Sequence, residues 1–133
     1  MKGQSLIELG IIFPIVVLLL VGAVEFGMIF FQYVQLQDAA QEGALYGSAI
    51  PDDVSEIEKR VRYASQSPID LSSPDVGVYI SFENNLACEG SGLEVRVEYP
   101  HKIFMPILPQ LLRTDVIMLR GRVVDTVLRP VCS

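Results

Sequence analysis

The segment that most limits how this chain can fold is an apolar run near its beginning, residues 9–31. Glu8 stands directly before the run and Glu25 lies inside it, but the stretch between these two carboxylates carries no charge. About 23 residues of this composition suffice for one helical crossing of a bilayer with some tilt. The sequence therefore predicts a membrane helix with one carboxylate at its entrance and another within it.

The helical pattern continues beyond the apolar run, because nothing stops a helix firmly before Pro51. Residues 32–50 alternate at helical spacing between small or apolar side chains and polar ones. This half of the helix is therefore amphipathic, and we expect its apolar face to pack on a part of the protein outside the membrane. The recurring set is Tyr33, Leu36, Ala40, Ala44 and Gly47.

Small residues four positions apart on this second half permit close backbone approach, as at Ala39, Gly43 and Gly47. They fit tight helix-on-helix assembly, or a sheet laid closely across the helix, which we favour. Pro14 removes one backbone donor and predicts a break or kink early in the helix. In lipid, neighbouring helices satisfy the groups that such a break frees.

The remainder, residues 51–133, predicts one small α+β unit. Asp52 and Asp53 are suited to begin a helix over residues 54–64. Alternating apolar residues then predict three strands of an antiparallel meander, over residues 76–82, 93–99 and 115–128, with a bulge at residues 121–124. The proline-rich apolar stretch at 100–114 predicts a partly helical connection that covers one end of the sheet. A patch that contacts a membrane or a partner is the alternative.

Cys88 follows the first predicted strand and Cys132 follows the third. In an up-down-up meander these two places lie at the same edge of the sheet. On the exported side of a membrane, the pair predicts a disulfide worth about 3–4 kcal/mol in the chain-entropy model. Two free buried thiols would be the alternative in a cytosolic domain.

The charged residues and the single histidine bear on the partners, the membrane topology and the chemistry of the chain. A net charge of −6 disfavours a nucleic-acid partner. Lys2 is the only basic residue before Lys59, and this asymmetry favours a cytoplasmic amino end with the remainder outside. The single histidine, His101, has no acidic or thiol partner at motif spacing, so we expect it on the surface of a loop. The sequence predicts no enzyme, metal site or cofactor.

The two carboxylates of the apolar run need an explanation, because a buried carboxylate requires a partner. Glu8 either benefits from the amino end of the helix dipole or meets a cation that appears on assembly. A cut after Gly3 would create such a cation at the amine of Gln4, which Glu8 of a neighbouring subunit could neutralise. Glu25 either reaches the outer interface or pairs inside an assembly.

The motif from Gly3 through Gln4 to Glu8 resembles the prepilin-peptidase recognition sequence of type IV pilin-like proteins. Combined with Pro14, Glu25 and the stretch at 36–44, it is similar to the TadE-like pseudopilins of tight-adherence (Tad) pilus systems. The resemblance covers about the first 50 residues. It implies cutting after Gly3 at the cytoplasmic face, with Gly3 and Glu8 as recognition residues and Glu8 also as an assembly contact.

We therefore expect an α+β protein: a long N-terminal helix packed against a small three-stranded antiparallel sheet. Residues 1–3 form a leader, 4–50 the helix and 51–133 the extracytoplasmic domain. The expected function is a pilin or pseudopilin subunit that waits in the inner membrane and joins a filament of pilin subunits. Its other partners are prepilin peptidase, the assembly machinery and lipid. The alternative is an unprocessed membrane-anchored binding module; an ordinary secreted protein, cut after Ala23, is disfavoured.

Overall fold

The chain is organised around one long helix, α1 (Lys2–Ala49), in a computed structural model that describes residues 2–130 and 132. A second helix, α2 (Val54–Tyr63), begins at Asp53, whose carboxylate accepts the N–H of Glu56 at 3.0 Å. The three strands are β1 (Gly77–Phe82), β2 (Gly92–Lys102) and β3 (Val116–Thr126), with a short helix α3 (Leu108–Leu112) before β3. The sequence order of the elements is thus helix, helix, then a three-stranded meander.

The sheet is antiparallel in the order β1-β2-β3, and one of its faces packs on α1. The predicted fold class is therefore confirmed. Buried residues from α1, α2, β2 and β3 form a single core, with Leu36, Ile57, Val61, Val95 and Val97 among its fully buried members. Partly buried side chains of β1 pack against this core. The amphipathic half of α1 is thus the side against which the whole domain is built.

The small residues of α1 are packed against the domain itself. A methyl group added at Gly43 would lie 2.4 Å from a methyl carbon of Val61, and one at Gly47 would lie 2.5 Å from Leu93. The contact with Leu93 of β2 agrees with the prediction of a sheet laid closely across α1, and the contact with Val61 shows that α2 packs closely there as well. Tyr33 is an exception to the predicted packed face, since its side chain is 41% exposed.

The predicted bulge in the last strand is wrong. β3 pairs with β2 in unbroken register from Gly92 opposite Thr126 to Lys102 opposite Val116. Gly121 lies on the buried face, where an added methyl group would be 2.4 Å from the carbonyl carbon of Leu36. The absence of an apolar side chain at this position reflects contact between two backbones, not a slip in the strand.

The disulfide between Cys88 and Cys132 is present, with the two Cα atoms 5.4 Å apart. It joins the connection after β1 to the segment after β3, as the meander predicts. Nearby, the N–H of Leu128 donates to the carbonyl of Ser48 at 2.8 Å. The end of α1 and the segment after the last strand are therefore held together at the same end of the domain.

Candidate functional site

The first part of α1, residues 3–20, is exposed along almost its whole length. None of the residues in its most apolar 18-residue window is buried, and the helix is long and apolar enough to cross a membrane. The helix continues through Pro14, so this proline does not end it, and the kink predicted there stays a prediction. A large apolar surface is therefore left for a partner other than the chain's own core.

The predicted processing and assembly residues lie at the start of this exposed half. Gly3, Gln4 and Glu8 are all exposed, and Gln4 Nε2 donates to Glu8 Oε1 at 3.4 Å. Space around Gly3 is open, with no atom within 4 Å of an added methyl group. Met1, part of the predicted leader, lies outside the described residues. Among the side chains that the structure describes, only Gln4 donates to the Glu8 carboxylate, over a long distance, and this carboxylate is accessible to a neighbouring molecule.

Glu25 has a different environment, because the chain itself surrounds it. Its side chain is 3% exposed, and Oε1 lies 2.6 Å from Nε2 of His101, whose side chain is 5% exposed. An ionised carboxylate can only accept hydrogen bonds, so with Glu25 ionised His101 donates from Nε2. Burying a carboxylate is costly unless it is paired and hydrogen-bonded, and this contact supplies the pairing.

The other oxygen of Glu25 holds the connection between β2 and α3. Oε2 accepts the backbone N–H of Phe104 at 3.1 Å and of Met105 at 3.0 Å. The Met105 side chain lies close to Gly22, 3.6 Å from where a methyl group there would be. Both oxygens of Glu25 are therefore hydrogen-bonded. The contacts at Gly22 and Glu25, which lie within one turn of each other, hold this connection against α1.

The prediction that His101 lies on a loop surface is wrong. The residue belongs to β2, which extends three residues beyond the predicted strand end at Tyr99 and carries His101 onto α1. Pro100 is tolerated there because β1 pairs with β2 only as far as Glu98, so β2 has a single neighbouring strand at this point. Local sequence spacing did not reveal the pair. The available signal was that Glu25, inside an apolar run, required a donor.

These contacts describe two sites with different chemistry. The exposed Glu8 is available to another molecule, whereas Glu25 is satisfied within the chain and joins the sheet domain to the helix. The assembly role predicted for Glu8 and Glu25 stays a prediction. The described hydrogen-bond partners of Glu25 are the His101 imidazole and the backbone amides of Phe104 and Met105.

Comparison with known proteins gives one match. The family model for TadE-like protein matches residues 3–45, the exposed half of α1 and most of its packed half. No match was found among curated proteins or among solved structures. The match includes Gly3, Glu8, Pro14 and Glu25 but ends before the sheet domain. The resemblance inferred from the sequence is confirmed for this segment: residues 3–45 are similar to the TadE-like family.

Proposed function

We propose that the chain is a structural subunit of a Tad-type, type IV pilin-like filament, processed after Gly3 and assembled through α1. The observation that carries the proposal is the exposure of the most apolar 18-residue window of α1, in which no residue is buried, beside the Gly3–Glu8 motif. A soluble monomer could not leave such a surface in water. A bilayer before assembly and neighbouring helices afterwards would both cover it.

The packing of the second half of α1 limits where assembly takes place. Gly43 and Gly47 are filled by the chain's own side chains, so they offer no close approach to a neighbouring subunit. Contacts between subunits therefore fall on the exposed half, with the sheet domain on the outside of the filament. Phe26 and Phe30, stacked at 6.5 Å between ring centroids and exposed, extend this apolar surface next to the domain.

Glu8 supplies the charge that assembly needs. Cutting after Gly3 converts the backbone nitrogen of Gln4 into an amine, and the accessible Glu8 carboxylate of a neighbouring subunit pairs with it. Such a charge-assisted hydrogen bond contributes about 1.5–3 kcal/mol. The proposed partners are prepilin peptidase at the cytoplasmic face, the inner-membrane assembly machinery and other pilin subunits.

Replacing Glu8 by alanine tests this role. We expect the Glu8→Ala protein to enter the membrane normally but to reach sheared filaments at least about tenfold less, since 1.4 kcal/mol corresponds to a factor of ten. The matched control is Glu89→Ala, which removes an exposed carboxylate from the sheet domain. Wild-type amounts of the Glu8→Ala protein in sheared filaments would contradict the assembly role.

A second candidate is an unprocessed, single-pass anchored binding module that never polymerises. The observation in its favour is the Glu25–His101 contact, because Glu25 then needs no neighbouring subunit to satisfy it. Such a module would remain full length and would be found only in membranes. Neither Glu8→Ala nor Glu89→Ala would change its distribution.

A further inference from the structure

We propose that residues 103–113, which we call the membrane foot, insert into the outer surface of the bilayer that α1 crosses. The foot comprises the connection that follows β2 and the short helix α3. Its exposed apolar side chains are Phe104, Ile107, Leu111 and Leu112, the last two exposed by 75% and 48%. This inference rests on the membrane stage of the proposed function but not on filament assembly.

The position of the foot along α1 is the first argument. Glu25 holds the amides of Phe104 and Met105, and Met105 lies against Gly22, so the foot is fixed beside residues 22–25 of the helix. A hydrocarbon core of about 30 Å spans about 20 helical residues at 1.5 Å each. Counted from Leu9, the core ends near residue 28, and the foot's attachment lies about 5–9 Å inside that boundary. Apolar segments at membrane surfaces insert to about 5–10 Å.

The charge of the foot is the second argument. Between Pro100 and Asp115 the chain has no acidic residue, and its charged side chains there are Lys102 and Arg113, one at each end of the apolar set. Both are exposed. In a chain of net charge −6, this local positive charge matches the anionic headgroups of a lipid surface.

The buried carboxylate is the third argument. At the depth of Glu25, lipid offers no donor, and a carboxylate there must be satisfied by the protein. His101 and the two foot amides do this, and the foot itself closes over the site. The same contacts that hold the foot also allow Glu25 to lie at membrane depth.

Single tryptophan variants of the full chain can test the foot, because the natural sequence contains no tryptophan. Leu111→Trp places the reporter in the foot. Leu86→Trp places it at an exposed apolar position near the opposite end of the sheet, as a matched control. Val17→Trp reports insertion of α1 itself. Each protein is reconstituted into phosphatidylcholine vesicles, with and without phosphatidylglycerol, and quenched with phosphatidylcholine brominated at different depths.

We expect lipid brominated high in the acyl chain to quench most of the fluorescence of the Leu111→Trp protein. We also expect this protein to emit at shorter wavelength than the Leu86→Trp protein, which is unquenched. Phosphatidylglycerol strengthens the quenching, and Lys102→Gln with Arg113→Gln removes that increase. Circular dichroism and an intact disulfide confirm folding of each variant.

Three outcomes overturn the inference in distinguishable ways. Quenching of Val17→Trp without quenching of Leu111→Trp rejects the foot and leaves the proposed function standing. A blue-shifted but unquenched Leu111→Trp signal that is lost on dilution shows contact with a second copy instead of lipid. Absence of quenching in Val17→Trp rejects both the foot and the membrane stage of the proposed function.

Discussion

Replacing Glu25 by alanine removes the hydrogen-bond partner of three groups at once: Nε2 of His101 and the amides of Phe104 and Met105. An unsatisfied buried donor costs about 1–3 kcal/mol. The hydrogen bonds of the two amides are partly buried, so water can reach these amides and the cost of each lies near the lower limit. His101 is buried, so its cost can take any value in the range. The sum is about 3–5 kcal/mol, a large share of the about 5–15 kcal/mol that stabilises a typical domain.

This loss is expected locally, in the membrane foot, before the rest of the domain unfolds. Hydrogen–deuterium exchange of the full chain in detergent measures it at the amides of Ile103, Phe104 and Met105. At 1.4 kcal/mol per factor of ten, their exchange accelerates between about 100-fold and a few thousand-fold. Glu25→Gln retains a carbonyl oxygen for the two amides and costs less, about 1 kcal/mol.

The matched control is Glu83→Ala. The Glu83 carboxylate also accepts a backbone N–H, that of Gly92 at 3.3 Å, but in an exposed position at the other end of the sheet. Its removal is expected to change stability by less than about 0.5 kcal/mol. Equal, small changes in exchange for Glu25→Ala and Glu83→Ala would refute the conclusion that Glu25 holds the foot to α1.

Two further predictions concern the packing and the surface of the sheet. Gly121→Ala forces β3 away from the backbone of Leu36 and is expected to destabilise the protein by about 1–3 kcal/mol, which lowers Tm by about 4–8 °C per kcal/mol. The control is Gly92→Ala, because the nearest neighbour of Gly92 is a flexible carboxylate. Equal Tm values for the two variants would contradict the close contact at Gly121. Arg122 Nη2 donates to Glu94 at 2.7 Å and lowers the pKa of the Glu94 carboxyl below its ordinary value of 4.5. Because the folded-state pKa is the lower one, the stabilisation is present above the ordinary value and lost as pH falls through the folded pKa. NMR titration of Glu94 should therefore show a midpoint below 4.5 that rises in Arg122→Gln, and an unchanged midpoint would contradict the assigned cause.

Much of the fold is predictable from local pattern. Alternation identifies the centre of β2, and the positions of Cys88 and Cys132 agree with a meander whose two ends meet. The change from an all-apolar to an amphipathic helix indicates which part of α1 packs on a domain, and the buried Leu36, Ala40 and Ala44 lie in that part. These features depend on periods of two and 3.6 residues, which the sequence displays directly.

The errors arise where a contact between distant segments decides the structure. Gly121 interrupts an apolar alternation, which predicts a bulge, but the cause is the backbone of α1 at Leu36. Pro100 predicts a strand end, yet the strand continues because one of its neighbours has already ended. Neither local residue type nor spacing contains this information.

The Glu25–His101 pair shows the same limit at the candidate site. The two residues are 76 positions apart and lie in different elements. Glu8 differs, because its place at the start of an apolar helix is itself local information. The sequence therefore identifies Glu8 as a carboxylate at the start of the apolar helix, but it does not identify the partner of Glu25.

Intact mass of the protein, compared between membranes and sheared surface material, tests the central claim most directly. The account predicts that the sheared fraction contains the chain beginning at Gln4, lacking residues 1–3, with one disulfide between Cys88 and Cys132. A full-length chain confined to membranes would contradict processing after Gly3 and assembly into a filament. That result would support the anchored binding module.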